Sequence, residues 1–114
     1  MKYKDTLEGD IAIFEIAGKV LNYEESFTLF HGQIHQYLNL NKKQVIVDLR
    51  KVELMGSVGL GMLISVLTTV QKGGGRLVLA NITRIQNLIA MTRLNLIFDS
   101  YDSLEEAVAS FENK

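Results

Sequence analysis

The chain has no cysteine, which excludes disulfides, thiol catalysis and cysteine-ligated zinc together. It also lacks an excess of charge of either sign: twelve Lys and Arg stand against thirteen Asp and Glu, a formal net charge of −1. Without a basic bias or a Lys/Arg cluster there is no electrostatic footprint for nucleic acid or an anionic membrane, and neither partner is expected. No segment is low in complexity, so nothing in the composition suggests disorder. The first ten residues, MKYKDTLEGD, lack the apolar core of a signal peptide. Leu54 to Gln71 is a run of 18 uncharged residues, near the length that spans a bilayer. Its glycines and a polar stripe fit a half-buried helix of a soluble protein instead. No membrane insertion and a cytoplasmic location are the expectation.

What is present is ordinary globular material. The 114 residues, 47% apolar and 22% charged, suit one domain over residues 1–114. It is large enough to bury roughly two thirds of the surface its unfolded chain would expose.

The informative stretch runs from Gln44 to Gly75. Val45-Ile46-Val47, followed by Asp48 and Leu49, reads as a strand buried on both faces, as in a parallel sheet covered by helices. A loop is expected from Arg50 to Met55. Gly56-Ser57 then opens a helix to about Lys72, stopped by Gly73-Gly74-Gly75. Ser57 is therefore a hydroxyl at a helix N-terminus, where unpaired N–H groups and the positive end of the dipole favour negative charge. Two readings stand: an N-cap whose oxygen accepts a backbone N–H, or a phosphorylation site. On this helix Leu60, Leu63, Ile64, Leu67 and Val70 form the expected core stripe, with Gly61, Ser65, Thr68, Thr69 and Lys72 as a polar stripe. Val58 and Met62 are expected to project away from the core beside Ser57, either as a docking patch or under a neighbouring helix.

Leu54-Met55-Gly56-Ser57-Val58-Gly59-Leu60-Gly61-Met62-Leu63 resembles the signature of the STAS domain family, the anti-sigma factor antagonists, in which Asp-Ser-Ser/Ala-Gly-Leu-Gly starts the helix after a buried strand. In that family the serine after the aspartate is phosphorylated by a partner kinase that is also the anti-sigma factor. Ser57 takes that place. Gly56 stands where the family usually has Asp, and Val58 where Ser or Ala is common.

The rest of the chain alternates strands and helices. Residues 2 to 7 and 11 to 17 read as a hairpin turning at Glu8-Gly9-Asp10 and closed by Gly18. Asn22 and Glu25 mark the start of a helix from about Tyr23 to Leu40, with Phe27, Phe30, Ile34, Tyr37 and Leu38 at helical spacing. Arg76 to Ala80 repeats the buried-strand pattern and ends at Asn81. Thr83 with Gln86 caps a third helix carrying Ile85, Leu88, Ile89 and Thr92 on one face, an edge strand follows near Ile97 to Asp99, and Ser103 with Glu106 caps a last helix. There Leu104, Ala107, Val108 and Phe111 face inward. The order ββαβαβαβα implies an α/β domain with a small, mixed, mostly parallel sheet flanked by about four helices. The same order matches the STAS fold, and the resemblance extends to Gly18, to the Gly-Gly before Arg76-Leu77, and to Thr92-Arg93-Leu94 followed by Ile97-Phe98. Many relatives carry an Asp shortly after the first of these glycines, where this chain has Leu21-Asn22.

Enzyme readings fail on chain order. The nucleophile elbow G-x-S-x-G has Met55 in its first glycine position and needs a histidine later in the chain, whereas His31 and His35 both precede Ser57. The segment is neither a Walker A loop nor G-x-G-x-x-G. His31 and His35, at i and i+4, lack a third ligand for a metal, so they are expected on the solvated surface, and Glu24, Glu25 and Asp48 are expected to be cap or surface charges. Asp48 stands out only because it ends the central strand near the serine loop.

The resemblance implies a binding module switched by phosphorylation of Ser57. Its partners would be an anti-sigma factor serine kinase and a resetting serine phosphatase, and its contact residues Met55, Gly56, Ser57, Val58 and Met62 with Leu21 and Asn22. It leaves room for a weak homodimer. No cofactor, metal or catalysis is expected. The competing expectation is a STAS adaptor that is not phosphorylated, within a transporter or signalling complex; nucleotide sensing is a third, which no phosphate-cradling loop supports.

Overall fold

The computed structural model describes residues 1–112. A hairpin opens the chain: β1 (Lys2–Glu8) and β2 (Ile11–Val20) pair antiparallel around Gly9, whose φ of +62° is the left-handed turn a glycine accepts. After β2 come α1 (Glu25–Asn39), β3 (Gln44–Met55), α2 (Ser57–Lys72), β4 (Arg76–Ala80), α3 (Gln86–Met91), β5 (Asp99–Tyr101) and α4 (Leu104–Glu112). β2 to β5 are parallel neighbours, so the mixed sheet has the order β1-β2-β3-β4-β5. The expected order and architecture are those of the structure.

Alternation along the strands sends side chains to opposite faces. Ala12, Phe14, Val45, Val47, Leu77 and Leu79 meet the helical cluster of Phe27, Phe30, Ile34, Leu63 and Val66. On the opposite face Ile11, Ile13, Ile46, Val78 and Ala80 pack against Ala107 and Phe111 of α4. Two covered faces are why β3 and β4 read as unbroken apolar runs.

Several boundaries differ from the expectation. The loop foreseen over Arg50–Met55 is strand, because Val52 and Met55 turn inward and pair with Gly18 and Val20 of β2. Likewise Gly18 does not close β2; it sits at φ +91° next to a register shift, and the strand continues to Val20. Those irregularities leave Arg50, Lys51, Glu53 and Leu54 exposed between inward residues and hide the period of two. α1 begins at Glu25, not Tyr23, with Glu24 rather than Asn22 in the capping position and no side-chain cap bond. Thr83 starts a turn of 3-10 helix (Thr83–Ile85) instead of capping α3, and Thr92 is exposed, its hydroxyl donating to the Leu88 carbonyl at 2.7 Å. β5 begins where the expected strand ended, after a second 3-10 turn over Leu94–Leu96. At α4 the foreseen cap is present: Glu106 N–H donates to Ser103 Oγ and Asp102 N–H to Glu106 Oε2, both at 3.1 Å. Asp48 is buried rather than on the surface; its Oδ1 accepts from Arg50 N–H at 3.0 Å and from Asn81 Nδ2 at 2.9 Å. Among the described residues no helix is long and apolar enough to cross a membrane.

Candidate functional site

β3 delivers the chain to the start of α2. Met55, its last residue, is buried, and the next N–H, that of Gly56, donates to the Val20 carbonyl at the end of β2. Gly56 holds the capping position at φ −107°, ψ −169°, extended backbone open to any residue. A Cβ there would make only an ordinary 3.5 Å contact with Leu21 Cδ2, so an aspartate would fit without strain.

Ser57 is consequently the first helical residue and not the cap. It is exposed, α2 has no side-chain cap bond, and no acidic residue occupies its first turn. The backbone N–H groups of that turn have no intrahelical acceptors, and the hydroxyl stands beside them. Two residues on, Gly59 lets the helix touch the sheet: a Cβ would fall 2.5 Å from Met55 Cγ and 2.9 Å from the Val20 carbonyl. Helix and strand ends are thereby clamped around Ser57.

The outward pair foreseen at Val58 and Met62 divides. Val58 is 42% exposed, whereas Met62 is 7% exposed and belongs to the core, because α1 covers it. Ile64, expected in the core stripe, is 36% exposed, and Val66, absent from that stripe, is fully buried. Packing against α1 as well as the sheet has turned the buried arc of α2 toward Met62 and Val66.

Between α1 and α2 runs a groove of about 360 Å³. Val58, Gly61, Met62 and Ser65 line it from α2, and Tyr23, Phe27 and His31 from the other side. Leu21, Asn22 and Tyr23 are exposed on the connection from β2 to α1, and Leu21 lies over Gly56. Of the residues singled out in the sequence, Leu21, Gly56, Ser57 and Val58 form the surface around the hydroxyl; Met55 and Met62 lie beneath it. Tyr23 was missed as a surface residue. It is 67% exposed and packs edge-on against Phe27 at 5.2 Å; an aromatic next to a foreseen contact residue, Asn22, was the available signal.

His31 is half-buried rather than solvated. Its ring stacks on Phe27 at 5.6 Å, and Nε2 lies 2.7 Å from Thr69 Oγ1 across the helix pair. Burial, with the neighbouring His35, holds its pKa below the usual 6.5. His35 is exposed as expected. Among the described residues no group of three or more His, Asp or Glu side chains is placed to hold a metal.

Residues 4–107 match the family model of the STAS domain. This chain belongs to the STAS domain family. The STAS domain described here is 24% identical over 106 residues to a Thermotoga maritima protein provisionally named an anti-sigma factor antagonist, covering 92% of this chain and 94% of that one. A Thermotoga maritima crystal structure with the same provisional name superposes with a TM-score of 0.80 at 22% identity, covering 95% and 92% of the two chains. SpoIIAA, an anti-sigma factor antagonist and cell-fate determinant of Bacillus, shares the fold in two states. The TM-score is 0.71 for its unphosphorylated form, at 14% identity and 98% and 99% coverage. It is also 0.71 for the phosphorylated form, at 13% identity and 96% and 98% coverage.

Proposed function

We propose that this STAS domain is an anti-sigma factor antagonist of the cytoplasm, switched by phosphorylation of Ser57 and acting by docking rather than catalysis. The observation that carries the reading is the exposed Ser57 hydroxyl at the first residue of α2, between Gly56, which Leu21 covers, and exposed Val58, which shares a groove with Tyr23. In the unmodified state that surface docks an anti-sigma factor serine kinase and releases its sigma factor. The existence of related antagonists, one known with and without phosphate, supports the assignment.

In the modifying step Ser57 Oγ attacks the γ-phosphorus of ATP, a P–O bond forms, the bond to ADP breaks, and the hydroxyl proton leaves to a base. The first turn of α2 holds no acid, so the partner supplies that base. The phosphate adds about −1.5 to −2 charges, taking the net charge from −1 to roughly −3. The free N–H groups of α2 tolerate it on the open surface. Under a closing partner it must be desolvated, and a loss of about 2.7 kcal/mol already weakens association about a hundredfold. A serine phosphatase resets the state.

The test is intact-mass and peptide mapping of protein taken from its native cells, with binding measured for two variants. A phosphate on Ser57 is expected; Ser57→Ala keeps docking and accepts no phosphate, and Ser57→Glu docks at least tenfold more weakly. Modification of Ser57→Ala at the wild-type rate would sink the site. Gly56, in place of the family's acid, favours a second reading, an adaptor within a transporter or signalling complex. Persistent lack of phosphate on Ser57 across growth conditions would select it.

A further inference from the structure

The seam between α1 and α2 extends beyond the groove at Ser57. Tyr23, Phe27, His31 and His35, four residues apart, form a ladder of rings with centroids separated by 5.2, 5.6 and 5.0 Å. Small residues of α2 and its C-cap, also four apart, line the other side: Gly61 and Ser65 in the first hollow, Thr69 and the C-cap Gly73 further along. His31 crosses the seam to Thr69. Past that crossing the seam opens into a second hollow of about 380 Å³, where His35, Asn39, Lys43, Thr69 and Lys72 contribute to the lining.

The two hollows differ in chemistry. The one near Ser57 has Tyr23, Phe27, Val58 and Met62 in its walls. The second has Lys43, Lys72 and His35 among its lining residues, and no carboxylate residue lines it. Lys42 and Lys51 are paired with Asp10 and Glu15, whereas no ion pair among the described residues uses Lys43 or Lys72. Part of this positive charge answers the end of α2: Lys72 is in its last turn, and Lys43 Nζ lies 3.6 Å from where a Gly74 Cβ would stand. That end amounts to roughly half a negative charge, so two lysines leave about one and a half positive charges without a partner.

We propose that the seam is one docking surface of two hollows, with the His31–Thr69 contact between them, taking a segment of the partner kinase with an apolar side chain at the Ser57 end and a carboxylate at the Lys43–Lys72 end. The proposal rests on the docking reading of Ser57 and specifies its partner. Gly61 and Lys72 are eleven residues apart on α2, about 16 Å at 1.5 Å per residue. The acid therefore lies about five residues from the apolar anchor in an extended segment, or about eleven in a helical one.

The experiment mixes the full chain with the kinase that phosphorylates Ser57 and adds a carbodiimide, which joins lysine amines to carboxylates in direct contact. Amide links are expected from Lys43 or Lys72 to an Asp or Glu of the kinase at that spacing from an apolar residue. The double variant Lys43→Gln, Lys72→Gln, checked to unfold still in one cooperative transition, should bind at least tenfold more weakly with a flatter salt dependence. Unchanged affinity and salt dependence, with Ser57 still phosphorylated, overturn the seam and leave the Ser57 reading standing. Links solely between copies of this chain overturn it in favour of a homodimer. If no kinase places phosphate on Ser57, the docking reading itself falls, and the seam with it.

Discussion

Two glycines of α2, two positions apart, have opposite roles. At Gly59 a Cβ would collide with Met55 Cγ and the Val20 carbonyl, whereas at Gly61 it would meet nothing within 4 Å. The first glycine is required by the close approach of helix to strand; the second keeps the groove floor low. Gly59→Ala is expected to destabilise by about 1–3 kcal/mol through overpacking. Gly61→Ala should stabilise by up to about 1 kcal/mol through helix propensity while weakening partner docking. Urea unfolding of both variants, with binding measured for the second, checks the pair. The motif was legible as a glycine-rich helix start; which glycine is indispensable depends on Val20, 39 positions earlier in the chain.

At the scale of elements, α1 and α2 are joined by an imidazole. His31 is held against Phe27 and Thr69, and its pKa is lowered, first by burial and then by the charge of His35. A pKa lower in the folded than in the unfolded state means that the fold favours the neutral ring. The resulting stability is present above the ordinary pKa of 6.5 and is lost as pH falls below it toward the folded value. The urea midpoint should therefore drop between pH 7.5 and 5.5, and His31→Gln should flatten that part of the profile. Asp10 and Glu15, whose pKa values their lysine partners lower, act in a separate window further into acid. Helical spacing placed His31 and His35 on one face of α1; it could not say that the face looks at α2 near His31 and at water near His35.

For the whole molecule, the sheet is covered by α1, α2 and α3 on one face and by α4 on the other, and Ser57 lies outside both packed layers. Charge added there has no core to disturb, so the proposed switch would act through contact electrostatics rather than a change of shape. In Ser57→Glu, amide NMR shifts are expected to stay near residues 20–24 and 54–62; shifts spread across α4 would show a conformational switch instead. The chain's own pattern determined the order ββαβαβαβα, the doubly buried β3 and β4, and a serine at the head of α2, because burial on one or two faces writes its period directly into the residues. Only the tertiary structure decided that Met62 turns in and Ile64 out, that β3 runs on to Met55, that Asp48 is buried and bonded to Asn81, and that Tyr23 lines one groove with Val58. Periodicity gives the angles between side chains on one element; which neighbour occupies each side, and where a bulge resets the alternation, is set by residues distant in the chain.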